Sequence, residues 1–113
     1  MGFYQTWGFS NRNPEVTEPI LSRYEYIADQ FNAPLMHIGR AWDYFYTSNN
    51  ETPPFSLFTD TVHATDQGQT LIAYVLYAYL TDDSPVNLSS LTLPDHEAFE
   101  LQTIAWETYQ SNI

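Results

Sequence analysis

Ten consecutive apolar residues, Leu71-Ile72-Ala73-Tyr74-Val75-Leu76-Tyr77-Ala78-Tyr79-Leu80, constrain the fold of this 113-residue chain more than any other segment. The run is about half the length a helix needs to span a bilayer, so it reads as a helix buried inside protein. From Gln69 to Leu80 that helix is apolar on most sides and has to be covered on most sides. Such cover demands more protein than the rest of the chain comfortably supplies.

The residues just before the run carry the chemistry. Thr65 can cap the helix by accepting an N–H from Gln67 or Gly68, and Asp66 places negative charge at the positive helix end. Ahead of that cap, Asp60 and His63 stand three positions apart. A histidine beside a carboxylate is the arrangement of a general base, the acid fixing the tautomer and stabilising the imidazolium that forms. Such a pair needs a nucleophile to activate. Neither a Gly-Asp-Ser nor a Gly-x-Ser-x-Gly segment occurs, and none of Ser10, Ser22, Ser48 and Ser56 sits at a glycine-flanked strand-to-helix turn.

Upstream, Phe3 to Trp7 is aromatic and β-prone and runs into the turn formers Gly8, Ser10, Asn11, Asn13 and Pro14. A helix is expected from about Thr17-Glu18-Pro19, with Pro19 in its first turn and Ile20, Tyr24, Ile27, Ala28 and Phe31 on its inner face, ending at Asn32. Pro34 to Ile38 is a short apolar run of strand length. Strand, helix, strand predicts a βαβ crossover and an α/β fold of short parallel strands with three main helices. Ala41 to Tyr46 reads as an aromatic-rich turn of helix, Thr47 to Pro54 as a polar loop, and Asp82 to Thr92 as a turn with an irregular stretch. The last helix is expected from about Pro94 to Gln110, with Leu101, Ile104, Ala105, Thr108 and Tyr109 inward.

Charge narrows the partners. Fourteen acids face three arginines with no lysine, a net charge of −11. Phosphate binding draws on Lys and Arg, so nucleic acid and anionic membrane surfaces are poor partners. The same lysine-poor acidity would suit a high-salt host, where self-repulsion is screened. There is no cysteine, which removes disulfides, thiolate catalysis and thiolate-bound zinc. Asp60, His63 and Asp66 offer oxygen and nitrogen ligands, but no second histidine stands at a ligating spacing, so neither metal nor cofactor is expected. His37, inside a predicted strand, reads as a core or sheet-edge residue, and His96, beside Asp95 and Glu97, as solvated. No basic and apolar leader follows Met1, so no signal peptide is visible and the compartment stays open.

Asp60-x-x-His63 followed by Gly68, Leu71, Ala73, a long apolar helix and Ser84-Pro85 resembles the C-terminal block of the SGNH or GDSL-type esterases and lipases. Other parts agree in order: Tyr4-Gln5-Thr6-Trp7 resembles a late strand of one bacterial branch, Ile27-Ala28 the helix after it, Leu35 to Gly39 with Ala41-Trp42 the next strand and turn, and Leu93-Pro94 through Ala105-Trp106 the closing helix. Ala64-Thr65 stands where the family commonly has Pro-Ser, and Thr preserves the capping hydroxyl.

The resemblance implies a single partial domain over 1–113, the C-terminal portion of a three-layer, flavodoxin-like hydrolase domain. It implies His63 as general base and Asp60 as its orienting acid, acting with a serine, a glycine and an asparagine from blocks that have no counterpart here. The chain would then be inactive alone, as when a gene model begins late or a gene is split, and would act on an ester once completed by an N-terminal chain. The alternative is a non-catalytic α/β module that pairs with itself or with a separate chain through an uncovered sheet edge and an apolar helix face.

Overall fold

The computed structural model describes residues 2–90 and 92–112. Its elements are β1 (Phe3–Tyr4), α1 (Pro14–Gln30), β2 (Leu35–Met36), α2 (Ile38–Ser48), α3 (Asp66–Thr81) and α4 (Asp95–Ser111), so the fold is mixed α/β and mostly helical. β1 and β2 pair in parallel, with Phe3 opposite Leu35 and Tyr4 opposite Met36, and α1 is the crossover between them. No described helix is long and apolar enough to cross a membrane.

Both strands are shorter than the sequence suggests. Gln5 still donates its N–H to Met36 O at 3.1 Å, but its side chain turns into α1 and the ladder stops there. At the other strand, Ile38 belongs to a helix. Gly39 explains the early start of α2: a Cβ there would lie 2.2 Å from Thr6 O and 2.4 Å from a Leu21 methyl, so only glycine lets α2 begin against β1 and α1. The expected aromatic turn is thus an 11-residue helix, which makes four helices rather than three main ones.

α1 also differs from expectation. It begins at Pro14, where Asn13 Oδ1 accepts the Glu15 N–H at 3.0 Å and proline fills the first helical position. Pro19 lies inside the helix, on its solvent side, where water can serve the Glu15 carbonyl that loses its intrahelical donor. Its buried face is Thr17, Leu21 and Ala28, whereas Ile27 and Phe31 of the expected inner stripe are 45% and 68% exposed. Asn32, with φ 48°, then terminates the helix.

One apolar core lies between α2, α3 and α4, with Trp42, Phe45, Leu57, Leu71, Val75 and Leu101 almost wholly removed from water. The apolar run is therefore covered by α4 and α2 on most of its circumference, and α3 with α4 forms the most extensive helix pair. The cover is incomplete: Ile72 and Leu76 are half-buried, and Leu80 is 76% exposed. On the other side, Phe3 meets the Phe31 ring at 6.3 Å and Gln5 is fully buried against α1.

Gln5 Nε2 donates to Leu21 O at 3.1 Å and to Glu25 at 3.2 Å, while its Oε1 accepts the Arg40 N–H at 2.9 Å. Arg40 adds a two-carboxylate clamp, with Nε to Glu25 at 2.7 Å and both Nη atoms to Glu18 at 2.8 Å. These bonds hold both carboxyls below the usual range and push the guanidinium higher still. Replacing Gly39 by Ala forces backbone against backbone at this junction. We expect Gly39→Ala to cost about 1–3 kcal/mol in urea unfolding; wild-type stability would mean that α2 does not seat against Thr6.

Candidate active site

The Asp60–His63 pair sits on a tight loop closed by an antiparallel bridge between Phe58 and Ala64. Thr59 N–H donates to His63 O at 2.8 Å, and Thr65 N–H to Leu57 O at 2.9 Å. Within the loop, Asp60 Oδ1 accepts two backbone amides, from Val62 at 2.9 Å and His63 at 2.8 Å. The carboxylate thereby builds its own turn, a common use of aspartate in loops. Its other oxygen, Oδ2, lies 2.7 Å from His63 Nδ1. A carboxylate can only accept, so Nδ1 carries the proton of the neutral ring and Nε2 is left with the free lone pair.

The His63 and then the Val62 amide, followed by the His63 ring, hold Asp60 down to about 2. It is thus ionised throughout the neutral range, as an orienting acid has to be. Both side chains reach solvent, His63 at 77% and Asp60 at 55% exposure.

Two bonds from the N-terminal segment fix where this loop stands. Trp7 Nε1 donates to Val62 O at 2.7 Å, and Ser10 N–H to Thr61 O at 2.8 Å. Trp7 is itself stacked on buried Trp42, with ring centroids 4.3 Å apart and planes within 5°. Below the loop, Thr65 caps α3 by accepting the Gly68 N–H at 3.0 Å, and Asp66 lies in the first turn. Gly68 permits the close seating: a Cβ there would meet Leu57 O at 2.6 Å and Trp42 at 2.7 Å.

Next to His63 runs an open groove of about 580 Å³, lined by Thr6, Trp7, Phe9, Ile20, Val62 and Ile72 among others. Its walls are apolar apart from Thr6, Gln69 and His63 itself. No described serine lines it. Ser56 spans Tyr46 OH and the Phe58 backbone, and Ser10 lines a separate polar cleft with Arg12 and Asp43.

The other histidines are placed apart. His37 precedes α2, where Nδ1 lies 2.8 Å from Tyr79 OH; burial pushes His37 down and Tyr79 up to about 12. His96 is exposed in the first turn of α4. Among the described residues no three His, Asp or Glu side chains converge as a metal site. Trp7 is the positioning residue that sequence reading passed over. Its only signal was a tryptophan at the end of the predicted Phe3–Trp7 strand, and nothing in its neighbours points to the Val62 carbonyl 55 positions away.

No protein-family model, curated protein or solved structure matches the chain.

Two expectations follow for the loop. Asp60 is lowered in the folded chain relative to an unfolded value near 4, so its contribution to folding is complete above about pH 4 and fades as pH falls toward 2. A 13C NMR titration of its carboxyl carbon should give a midpoint near 2, and a midpoint at 4 would mean that the two amide bonds are absent in solution. Trp7→Phe keeps a ring on Trp42 but deletes the donor to Val62 O. Loss of one such bond, about 0.5–1.5 kcal/mol, should speed amide exchange at Val62 and His63 several-fold, while core amides of α3 change less.

Proposed function

We propose that this chain supplies the general base and its orienting acid to an SGNH-type serine ester hydrolase, with the nucleophile coming from polypeptide other than these residues. The observation that carries the reading is the state of the two His63 nitrogens. Nδ1 is engaged by a carboxylate that backbone amides keep ionised, while Nε2 is unbonded among the described residues and its ring borders an apolar groove.

In the reaction, His63 Nε2 takes the proton from a serine hydroxyl as that oxygen attacks the ester carbonyl. The same nitrogen then returns the proton to the departing alcohol, and water repeats the cycle on the acyl-enzyme. Asp60 stabilises the imidazolium between these steps without taking the proton. The reading also extends the architecture: helices on either side of a parallel sheet continued by further strands would make the three-layer, flavodoxin-like domain of the family. Ligands of open α/β sheets bind beyond the carboxyl ends of the strands, and the Thr6–Phe9 wall of the groove follows the carboxyl end of β1.

Alone, the chain lacks nucleophile and oxyanion hole, so it should hydrolyse p-nitrophenyl acetate no faster than an equal concentration of free imidazole. Mixing it with the N-terminal half of an SGNH esterase, which bears the serine but lacks the Asp-His block, tests the assignment. Activity in the mixture should fall by roughly a thousandfold or more with His63→Gln. Restored activity that survives His63→Gln would overturn the role given to His63.

A further inference from the structure

An ester under attack by a serine presents its parts to different groups of the site. Its carbonyl oxygen turns to the oxyanion donors, and its leaving oxygen to the histidine that will protonate it. Of these two partners only the histidine belongs to the chain, so the surface beside His63 meets the alcohol half of the substrate. That surface is the groove walled by Trp7, Phe9, Ile20, Val62 and Ile72. At about 580 Å³ it falls within the range of small-molecule sites, roughly 300–1,000 Å³. No Asp, Glu or Arg lines it. Thr6 Oγ1 already donates to Tyr24 OH at 3.3 Å, and the nearby Asp60 carboxylate is taken by two amides and the His63 ring. Among the described residues this leaves Gln69 and His63 Nε2 as the unbonded polar side-chain groups of the lining. A polyol entering here exchanges water for two partners, and a charged alcohol meets no opposite charge. A single hydroxyl on an apolar body fits both the walls and Nε2.

We propose that the ester cleaved at this site carries an apolar, uncharged alcohol, aryl or alkyl, whose body occupies the groove beside His63. The inference rests on His63 acting as the general base. As the C–O bond to that alcohol breaks, its oxygen keeps the bonding pair and takes from Nε2 the proton that the serine gave up. The groove thus selects the alcohol, while the acyl half faces the oxyanion side, outside these residues.

The alcohol is also the product, so its binding can be read without a nucleophile. The probe is 2-naphthol, titrated into the full chain and followed by methyl and 15N chemical shifts. Binding should saturate, shift the Ile20, Val62 and Ile72 methyls, and move His63 Nε2 as it accepts the hydroxyl proton. 2-Naphthoate, the same rings with a charge, should bind at least about tenfold more weakly, and methyl glucoside should shift none of these signals. Phe9→Ser removes a wall ring that is 38% exposed and should weaken naphthol binding about three- to tenfold. Should that variant lose its circular dichroism spectrum, the shift map of the wild-type chain decides alone. No saturable binding, shifts centred away from these methyls, equal affinity for naphthoate, or an unmoved Nε2 would overturn the proposal. Failure here and failure of the general-base reading are distinct. Complementation that survives His63→Gln removes both, whereas complementation that depends on His63 without naphthol binding removes only the groove's role.

Discussion

The buried amide of Gln5 is the joint on which the rest of the molecule depends. A primary amide out of water must satisfy both its ends, and here they join two helices: Nε2 to the Leu21 carbonyl and Glu25 of α1, Oε1 to the first turn of α2 through the Arg40 N–H. The same residue donates its backbone N–H to Met36 and closes the sheet. Two strands of two residues each could not hold a crossover helix by ladder bonds alone. The polar junction supplies what the short sheet does not, and the Arg40 clamp on Glu18 and Glu25 gives it a charged outer layer.

From that joint the path to the candidate site is short and covalent. Gln5 fixes the direction of the chain leaving β1, and two residues later Trp7 lies flat on Trp42 with its indole N–H aimed at Val62 O. Trp42 belongs to α2, whose start depends on Gly39 lying against Thr6. Sheet end, helix start and loop are therefore set by one set of contacts, and the loop needs no element of its own to be positioned. Asp60 then completes the geometry locally with two amide bonds and one bond to the imidazole. In this arrangement one carboxylate both forms the turn and holds the His63 ring, so a substitution there cannot separate the two contacts unless it preserves the acceptor.

Local chemistry was legible in the sequence and tertiary packing was not. The cap at Thr65, the stop at Asn32 and the apolar helix are decided by residues within a turn of one another, and each stands where the sequence placed it; the parallel βαβ order followed from the sequence of elements rather than from any one contact. The Asp60–His63 contact was legible for the same reason. What escaped were features set by distant residues: the start of α2, fixed by Gly39 against Thr6; the rotation of α1, fixed by Gln5 and Arg40 drawing its Leu21–Glu25 side inward; and the tie from Trp7 to Val62 across 55 positions. The α1 stripe misled because periodicity reports that a face is apolar, not that this chain covers it.

A chain with fourteen acids and three arginines has few ways to neutralise itself, and the two arginines in ion pairs serve the fold rather than the surface: Arg12 ties Asp43 and Glu51 together over the Tyr46 ring, and Arg40 joins α1 to α2. Surface repulsion is left to solvent and salt. The candidate site is insulated from that balance, because Asp60 is held by backbone amides, whose short dipolar bonds salt screens far less than it screens the separated surface charges.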